Sequence, residues 1–218
     1  MQRVIKLKAL MGRERIIQSA CKLSDYEIIQ RKKKFLRIAR TVIPEFVIDS
    51  SNRGVVTNLF NYFNGIEGKY SLDKGLWIYG DIGTGKSSLM QIFSEYMKLE
   101  FNGFKLHICN GIANAYSVSG DLDLYTYNQH GYIGKPVWMC FDELGREAVP
   151  ANHFGTKLNV MQHILHIRYS LWQSSRLKTF VTTNCDPFQI ESLYGDFIRD
   201  RIREMFNVIL VEGNSRRQ

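Results

Sequence analysis

Short apolar runs alternate with stretches of helical periodicity along most of the chain. Gly75-Leu76-Trp77-Ile78-Tyr79 is apolar without interruption, and Ser88-Leu89-Met90-Gln91-Ile92-Phe93 opens a helical pattern after it. Phe104 to Ile108 predicts a short strand, and Gly111 to Asp123, rich in small and polar residues, predicts a loop or weak helix. Pro136 to Phe141 is the most continuous apolar run, as expected for a strand covered on both faces. Leu158, Met161, Ile164, Leu165, Arg168 and Trp172 fall at helical spacing, with Arg168 alone breaking the stripe. Thr179 to Asn184 and Asn207 to Val211 predict two further strands. Strands alternating with helices predict an α/β fold: a doubly wound parallel sheet with helices on both faces.

The first forty residues differ from the rest. They are basic, contain Arg31-Lys32-Lys33-Lys34 and hold no glycine after Gly12, which suits helices. Pro44 and Asp49-Ser50-Ser51-Asn52-Arg53-Gly54 break that pattern, and Val55 to Phe63 resumes helical spacing. The division this predicts is a basic partner- or DNA-binding segment over 1–45, an appendage to a core over 46–218.

A chain of 218 residues supports one main domain. Its formal charge of +8 favours a polyanionic partner, because Lys and Arg on phosphates release counterions. No apolar window approaches a membrane span, and charges interleave the first eight residues where a signal peptide needs an apolar block; a cytoplasmic protein without a membrane partner is expected. Cys21, Cys109, Cys140 and Cys185 lie far apart, without metal-ligand spacing, and are expected as free thiols. His163 and His166 lack an acidic or thiol partner at ligand spacing and are expected on an ordinary helix face.

The chemistry concentrates between an apolar strand and the helix after it. Gly80-Asp81-Ile82-Gly83-Thr84-Gly85-Lys86-Ser87 has the glycines that let successive N–H groups curl inward at a helix N-terminus, where the dipole already favours an anion. Lys86 would neutralise the β- and γ-phosphates of ATP, and the Ser87 hydroxyl would be a Mg²⁺ ligand. Ser88 closes the expected nucleotide-binding set.

Asp142-Glu143 ends the most apolar strand, and the carboxyl ends of parallel strands face the ligand crevice. There Asp142 would orient Mg²⁺ through its water shell and Glu143 would polarise the attacking water. Asn184, at the end of the next strand, could hydrogen-bond the γ-phosphate and that water. Arg199, Arg201 and Arg203 alternate along a predicted helix with Asp196, Asp200 and Glu204, and spacing alone makes them surface ion pairs. The stretch Tyr116 to Tyr132, with Tyr125, Tyr127 and Tyr132, supplies candidate stacking platforms for single-stranded DNA.

From about Ile43 onward the chain resembles the AAA+ ATPases that load bacterial replicative helicases, the DnaC-like proteins, and the related IstB-like transposition helpers. Gly80 to Ser87, Cys140-Phe141-Asp142-Glu143-Leu144, Arg168-Tyr169, Thr182-Thr183-Asn184, Tyr194-Gly195 with Arg201, and the terminal Glu212-Gly213-Asn214-Ser215-Arg216-Arg217 carry the resemblance. It implies a P-loop NTPase sheet of order 5-1-4-3-2 and a homo-oligomer with ATP at subunit interfaces, acting on single-stranded DNA and a replicative helicase or a transposase. It assigns Lys86 and Ser87 to Walker A, Asp142 and Glu143 to Walker B, Asn184 to the polar sensor, and Arg201 to the trans-acting arginine finger.

The chain departs from that pattern in two places. Many relatives carry another arginine where Phe197 stands, and the sequence stops soon after its last strand, so no helical lid domain is expected. A small-molecule kinase or a non-hydrolysing scaffold would share the phosphate loop, but adjacent Asp142 and Glu143 favour activation of water.

Overall fold

Strands buried on both faces should form a parallel sheet between two helical layers, and they do. The computed structural model describes residues 23–99, 103–213 and 215–216. In chain order these comprise α1 (Asp25–Val42), α2 (Arg53–Phe63), β1 (Gly75–Tyr79), α3 (Lys86–Lys98), β2 (Lys105–Ile108), α4 (Cys109–Ser119), a 3-10 turn (Asp123–Tyr125) and β3 (Met139–Leu144). A hairpin of β4 (Ala151–His153) and β5 (Thr156–Leu158) follows, then α5 (Val160–Ser175), β6 (Thr179–Thr183), α6 (Pro187–Tyr194), α7 (Asp196–Met205) and β7 (Phe206–Leu210).

The main sheet runs β2-β3-β6-β1-β7 with every neighbouring pair parallel. Counting its five strands in chain order gives 5-1-4-3-2, as the resemblance implies.

Alternation along the strands sends side chains into two cores. Leu76, Ile78, Cys140, Phe180 and Ile209 meet α1, α2 and α3 on one face, where Phe63 stacks on Phe93 at 4.8 Å and Phe35 on the same ring at 4.9 Å. Trp77, Phe141, Val181 and Phe206 meet α4 to α7 on the other. Each large apolar side chain so buried contributes roughly 1.5–3 kcal/mol. Burial lifts the thiols of Cys109 and Cys140 well above their ordinary pKa, as expected of small core residues.

Helix α1 opens on a reciprocal cap. The Glu27 N–H donates to Ser24 Oγ at 3.3 Å, and the Ser24 N–H donates to Glu27 Oε2 at 2.8 Å. Further along, Phe35 and Ala39 enter the first core, so this part of the basic N-terminal segment is packed against the body. Arg31 donates to Asn64 Oδ1 at 2.9 Å, and Lys34 lies 6.0 Å from the Tyr96 ring. The segment's first 22 residues lie outside the described ones.

Two local expectations need correction, and one element carries no sequence signal. Of the loop or weak helix expected from Gly111 to Asp123, the structure shows a helix that starts earlier and ends sooner, at Cys109–Ser119, because Cys109, Ile112, Ala113 and Tyr116 bury one face and Gly120 closes it at φ 69°. Strand β3 starts at Met139 instead of Pro136: Pro136 has no N–H, and the Val137 carbonyl accepts from Arg168 at 2.9 Å. The β4–β5 hairpin, three residues a side, had no visible signal.

Arg168, the polar break in the helical stripe, is fully buried on α5. It donates to Thr179 Oγ1 at 2.7 Å and to the carbonyls of Tyr125, Val137 and Lys178, and lies 5.5 Å from the Phe141 ring centre. Burial lowers its pKa to about 9. Among the described residues no helix is long and apolar enough to cross a membrane.

Candidate functional site

The connection from β1 to α3 must turn sharply while its N–H groups stay free of side-chain caps, and its glycines allow this. Gly80, Gly83 and Gly85 have φ of 139°, 85° and 92°, and no side chain caps the start of α3. Two of them are also forced by close approach. A Cβ on Gly80 would lie 2.2 Å from the Val211 carbonyl oxygen, and one on Gly83 would lie 2.4 Å from Ser215 Oγ.

The chain after β7 therefore braces the loop. The Val211 N–H donates to the Tyr79 carbonyl at 2.8 Å, and the Arg216 N–H donates to the Gly83 carbonyl at 2.9 Å. Lys86 is buried, its Nζ donating to the carbonyls of Gly80 at 2.7 Å and Asp81 at 2.6 Å and lying 3.3 Å from Thr84 Oγ1. An ammonium held among loop oxygens beside an uncapped helix N-terminus makes an anion site.

Next to this loop, β3 breaks register with β6 between Phe141 and Leu144, and Glu143 takes a φ of 57°. Such a conformation is uncommon outside glycine and is upheld by its surroundings. Here the Glu143 N–H donates to Thr182 Oγ1 at 3.1 Å, and the Thr182 hydroxyl in turn donates to the Asp142 carboxylate. Asp142 is buried, whereas Glu143 borders the cleft, with its carboxylate 3.5 Å from Arg146.

Strand β6 contributes the remaining side. Thr183 Oγ1 donates to the Leu144 carbonyl at 2.7 Å, and Asn184 follows directly at the rim. One cleft is thus bordered by Lys86, Ser87, Glu143, Thr183, Asn184 and Arg216. A cavity of about 530 Å³ adjoins it, walled by Ile43, Phe46, Val47, Leu89 and, again, Arg216. Arg216 is the functional candidate that motif reading passed over. It belongs to the quoted terminal motif, but its approach to the loop depends on how β7 pairs with β1.

Arg201 stands apart from this cleft. Its guanidinium carbon lies 3.1 Å from the Phe197 ring centre and 4.1 Å from that of Tyr169, with Nη1 3.2 Å from His166 Nδ1. Burial lowers its pKa, and burial, helped by the cation close by, lowers that of His166. Arg199 makes a surface ion pair at 2.7 Å, but with Glu191 on α6 and not with an acid of its own helix as spacing suggests. Helix α6, leading into α7, is tied to the loop after β3 by buried Glu147, which accepts from the Gly145 N–H at 2.9 Å and from the Tyr194 hydroxyl.

The aromatic stretch divides. Tyr116 is buried in the second core and Tyr125 packs edge-on to His107 at 5.2 Å, so neither is an open platform, whereas Tyr127 and Tyr132 are exposed.

No family model matches the chain. Solved structures do match its fold. A structure described as a primosome component from Streptococcus pyogenes shares 20% identity over 79% of this chain and 85% of its own, at a TM-score of 0.55. DnaI shares 20% identity over 83% of this chain and 93% of its own, at 0.60. The DnaC helicase loader shares 16% identity over 78% and 96%, at 0.54. At such identities the likeness is one of fold: a parallel five-stranded α/β sheet of order 5-1-4-3-2 between helical layers.

Proposed function

We propose that this chain is an ATP-binding and ATP-hydrolysing DNA-replication accessory protein, a replicative helicase loader that works as a homo-oligomer on single-stranded DNA. The observation that carries the reading is the convergence of Lys86, Ser87, Glu143 and Asn184, from three separate elements, on one cleft. The fold shared with DnaI and the DnaC helicase loader supports the replication role, and the net charge of +8 supports a polyanionic partner.

The residues present fit ATP with Mg²⁺. Loop N–H groups at an uncapped helix end suit phosphate, and the 530 Å³ cavity walled by Ile43, Phe46 and Val47 suits an apolar base. Ser87 and Asp142 would hold the cation. Asp142 is a buried carboxylate whose hydrogen-bond partner is a neutral hydroxyl, a setting that favours a positive charge nearby. When bound, Mg²⁺ neutralises charge on the phosphate oxygens.

Lys86 would exchange its loop carbonyls for phosphate oxygens, the stronger acceptors. Glu143 would orient water and take its proton at a carboxylate oxygen, while Asn184 would donate its amide to a phosphate oxygen or the same water. Arg201 does not border its own chain's cleft, which suits action on a neighbouring subunit's site.

Steady-state ATP hydrolysis against protein concentration, with and without single-stranded DNA, tests the reading in wild type and Arg201→Ala. Turnover that rises with concentration and DNA and collapses in the variant is expected. Flat turnover insensitive to Arg201 would mean a self-contained site and would end the loader reading.

A further inference from the structure

Arg216 borders the nucleotide cleft, but its guanidinium is spent elsewhere. Nη2 lies 3.0 Å and 2.9 Å from the two Asp49 carboxylate oxygens and also bonds Ser51 Oγ. Its main chain is fixed to the phosphate loop by the bond to Gly83, and its Cδ lies 3.7 Å from where a Cβ on Gly85 would stand. The side chain thus rises beside the loop and leans away toward the linker between α1 and α2.

We propose that Arg216 is a phosphate-binding residue of the nucleotide site and that Asp49 competes with the nucleotide for it. The inference rests on the nucleotide-binding reading above and adds a residue and a linkage to it.

Three features of the geometry support the exchange. The side chains of Arg216 and Asp49 are 38% and 42% exposed, so their attraction is weakened by water, whereas a polyphosphate in the cleft carries more charge and accepts from two guanidinium N–H groups at once. Arg216 is already anchored by its backbone at the loop, so only the side chain has to turn. Asp49 does not depend on Arg216 to hold its turn, since Oδ1 accepts from the Ser51 N–H at 2.8 Å, the Ser51 hydroxyl at 2.7 Å and the Asn52 N–H at 3.1 Å. Release of the guanidinium therefore leaves the turn intact and changes only what ties the linker to the loop. Nucleotide occupancy would then be felt by the linker through one side chain.

The test is binding of a fluorescent, slowly hydrolysed ATP analogue at fixed ionic strength to the full chain and to Arg216→Ala, Asp49→Asn, the double variant and Lys86→Ala. Asparagine keeps the Oδ1 acceptor of the turn while removing the charge. Arg216→Ala should bind about tenfold more weakly, equivalent to ~1.4 kcal/mol. Asp49→Asn should bind about threefold more tightly, a gain absent in the double variant because it acts through Arg216. Unchanged affinity in Arg216→Ala, with loss in Lys86→Ala, would overturn the proposal and leave the nucleotide site standing. Asp49→Asn binding no tighter than wild type would overturn the competition, and binding as weak as Arg216→Ala would make Arg216 a linker brace. A wild type that does not bind the analogue would overturn both readings.

Discussion

The Thr182 hydroxyl donates to the Asp142 carboxylate and accepts the Glu143 N–H at 3.1 Å, so a single side chain on β6 sets both acids of β3. Thr182→Val keeps the shape and removes both bonds. It leaves a buried carboxylate short of a donor, which costs about 1–3 kcal/mol of stability. ATP turnover should fall about tenfold or more with nucleotide affinity largely kept, since the loss lies in the placement of Glu143. Chemical denaturation and steady-state kinetics check the two halves; normal turnover would detach Thr182 from the site.

Lys86→Ala should weaken nucleotide binding by more than about tenfold, since a charge-assisted contact to phosphate is lost. Equilibrium binding checks this, and wild-type affinity in the variant would sink the assignment of the phosphate loop.

Glu143→Gln should bind ATP with near-normal affinity and turn over about 10²-fold more slowly or worse, as expected when a general base is replaced by its amide. Single-turnover hydrolysis makes the measurement. A variant within a few-fold of wild type would remove Glu143 from the chemistry.

Arg201→Ala and Glu143→Gln should complement each other when mixed. If Arg201 serves a neighbour, equal mixing rebuilds about a quarter of the sites from one intact carboxylate and one intact arginine. Hydrolysis in the mixture is then greater than in either variant alone. A mixture no more active than the mean of its parts would place Arg201 outside the shared site.

Lys178 offers a pH dependence of known sign. It is buried between the rings of Tyr62 and Trp138, each 4.8 Å away, and burial lowers its pKa from 10.5 to about 8. Between those values the unfolded chain binds the extra proton, so this residue's contribution makes the fold more stable as pH rises from about 8 to 10.5. Relative to Lys178→Met, wild type should gain about 1–3 kcal/mol across that window, since one pKa unit corresponds to ~1.4 kcal/mol. Urea denaturation at a series of pH values checks it, and parallel curves would refute the shift.

The parts legible from sequence were those whose determinants are local. Met139 to Phe141, with Phe180 and Val181, are apolar because both faces of the sheet are covered, and the loop after β1 is a compact set of glycines and a lysine. Helix α4 reads only as a loop or weak helix because its outward face carries small uncharged residues, and the β4–β5 hairpin leaves no signal because each strand is too short for alternation to register. Arg168 looked like a flaw in an apolar stripe, and its acceptors lie on three distant segments. Arg216 could be found only once β7 was paired with β1, which carries the terminal residues to the loop.

Phe35 on α1 stacks on Phe93 of α3, and α3 begins at Lys86. That helix is a rod of thirteen residues, about 20 Å long at 1.5 Å per residue. Lys86 stands at its start, and further along it Phe93 and Tyr96 both pack against Phe35 of α1. The helix is therefore a rigid strut shared by α1 and the glycine loop, along which α1 cannot slide without breaking the stack of Phe35 on Phe93.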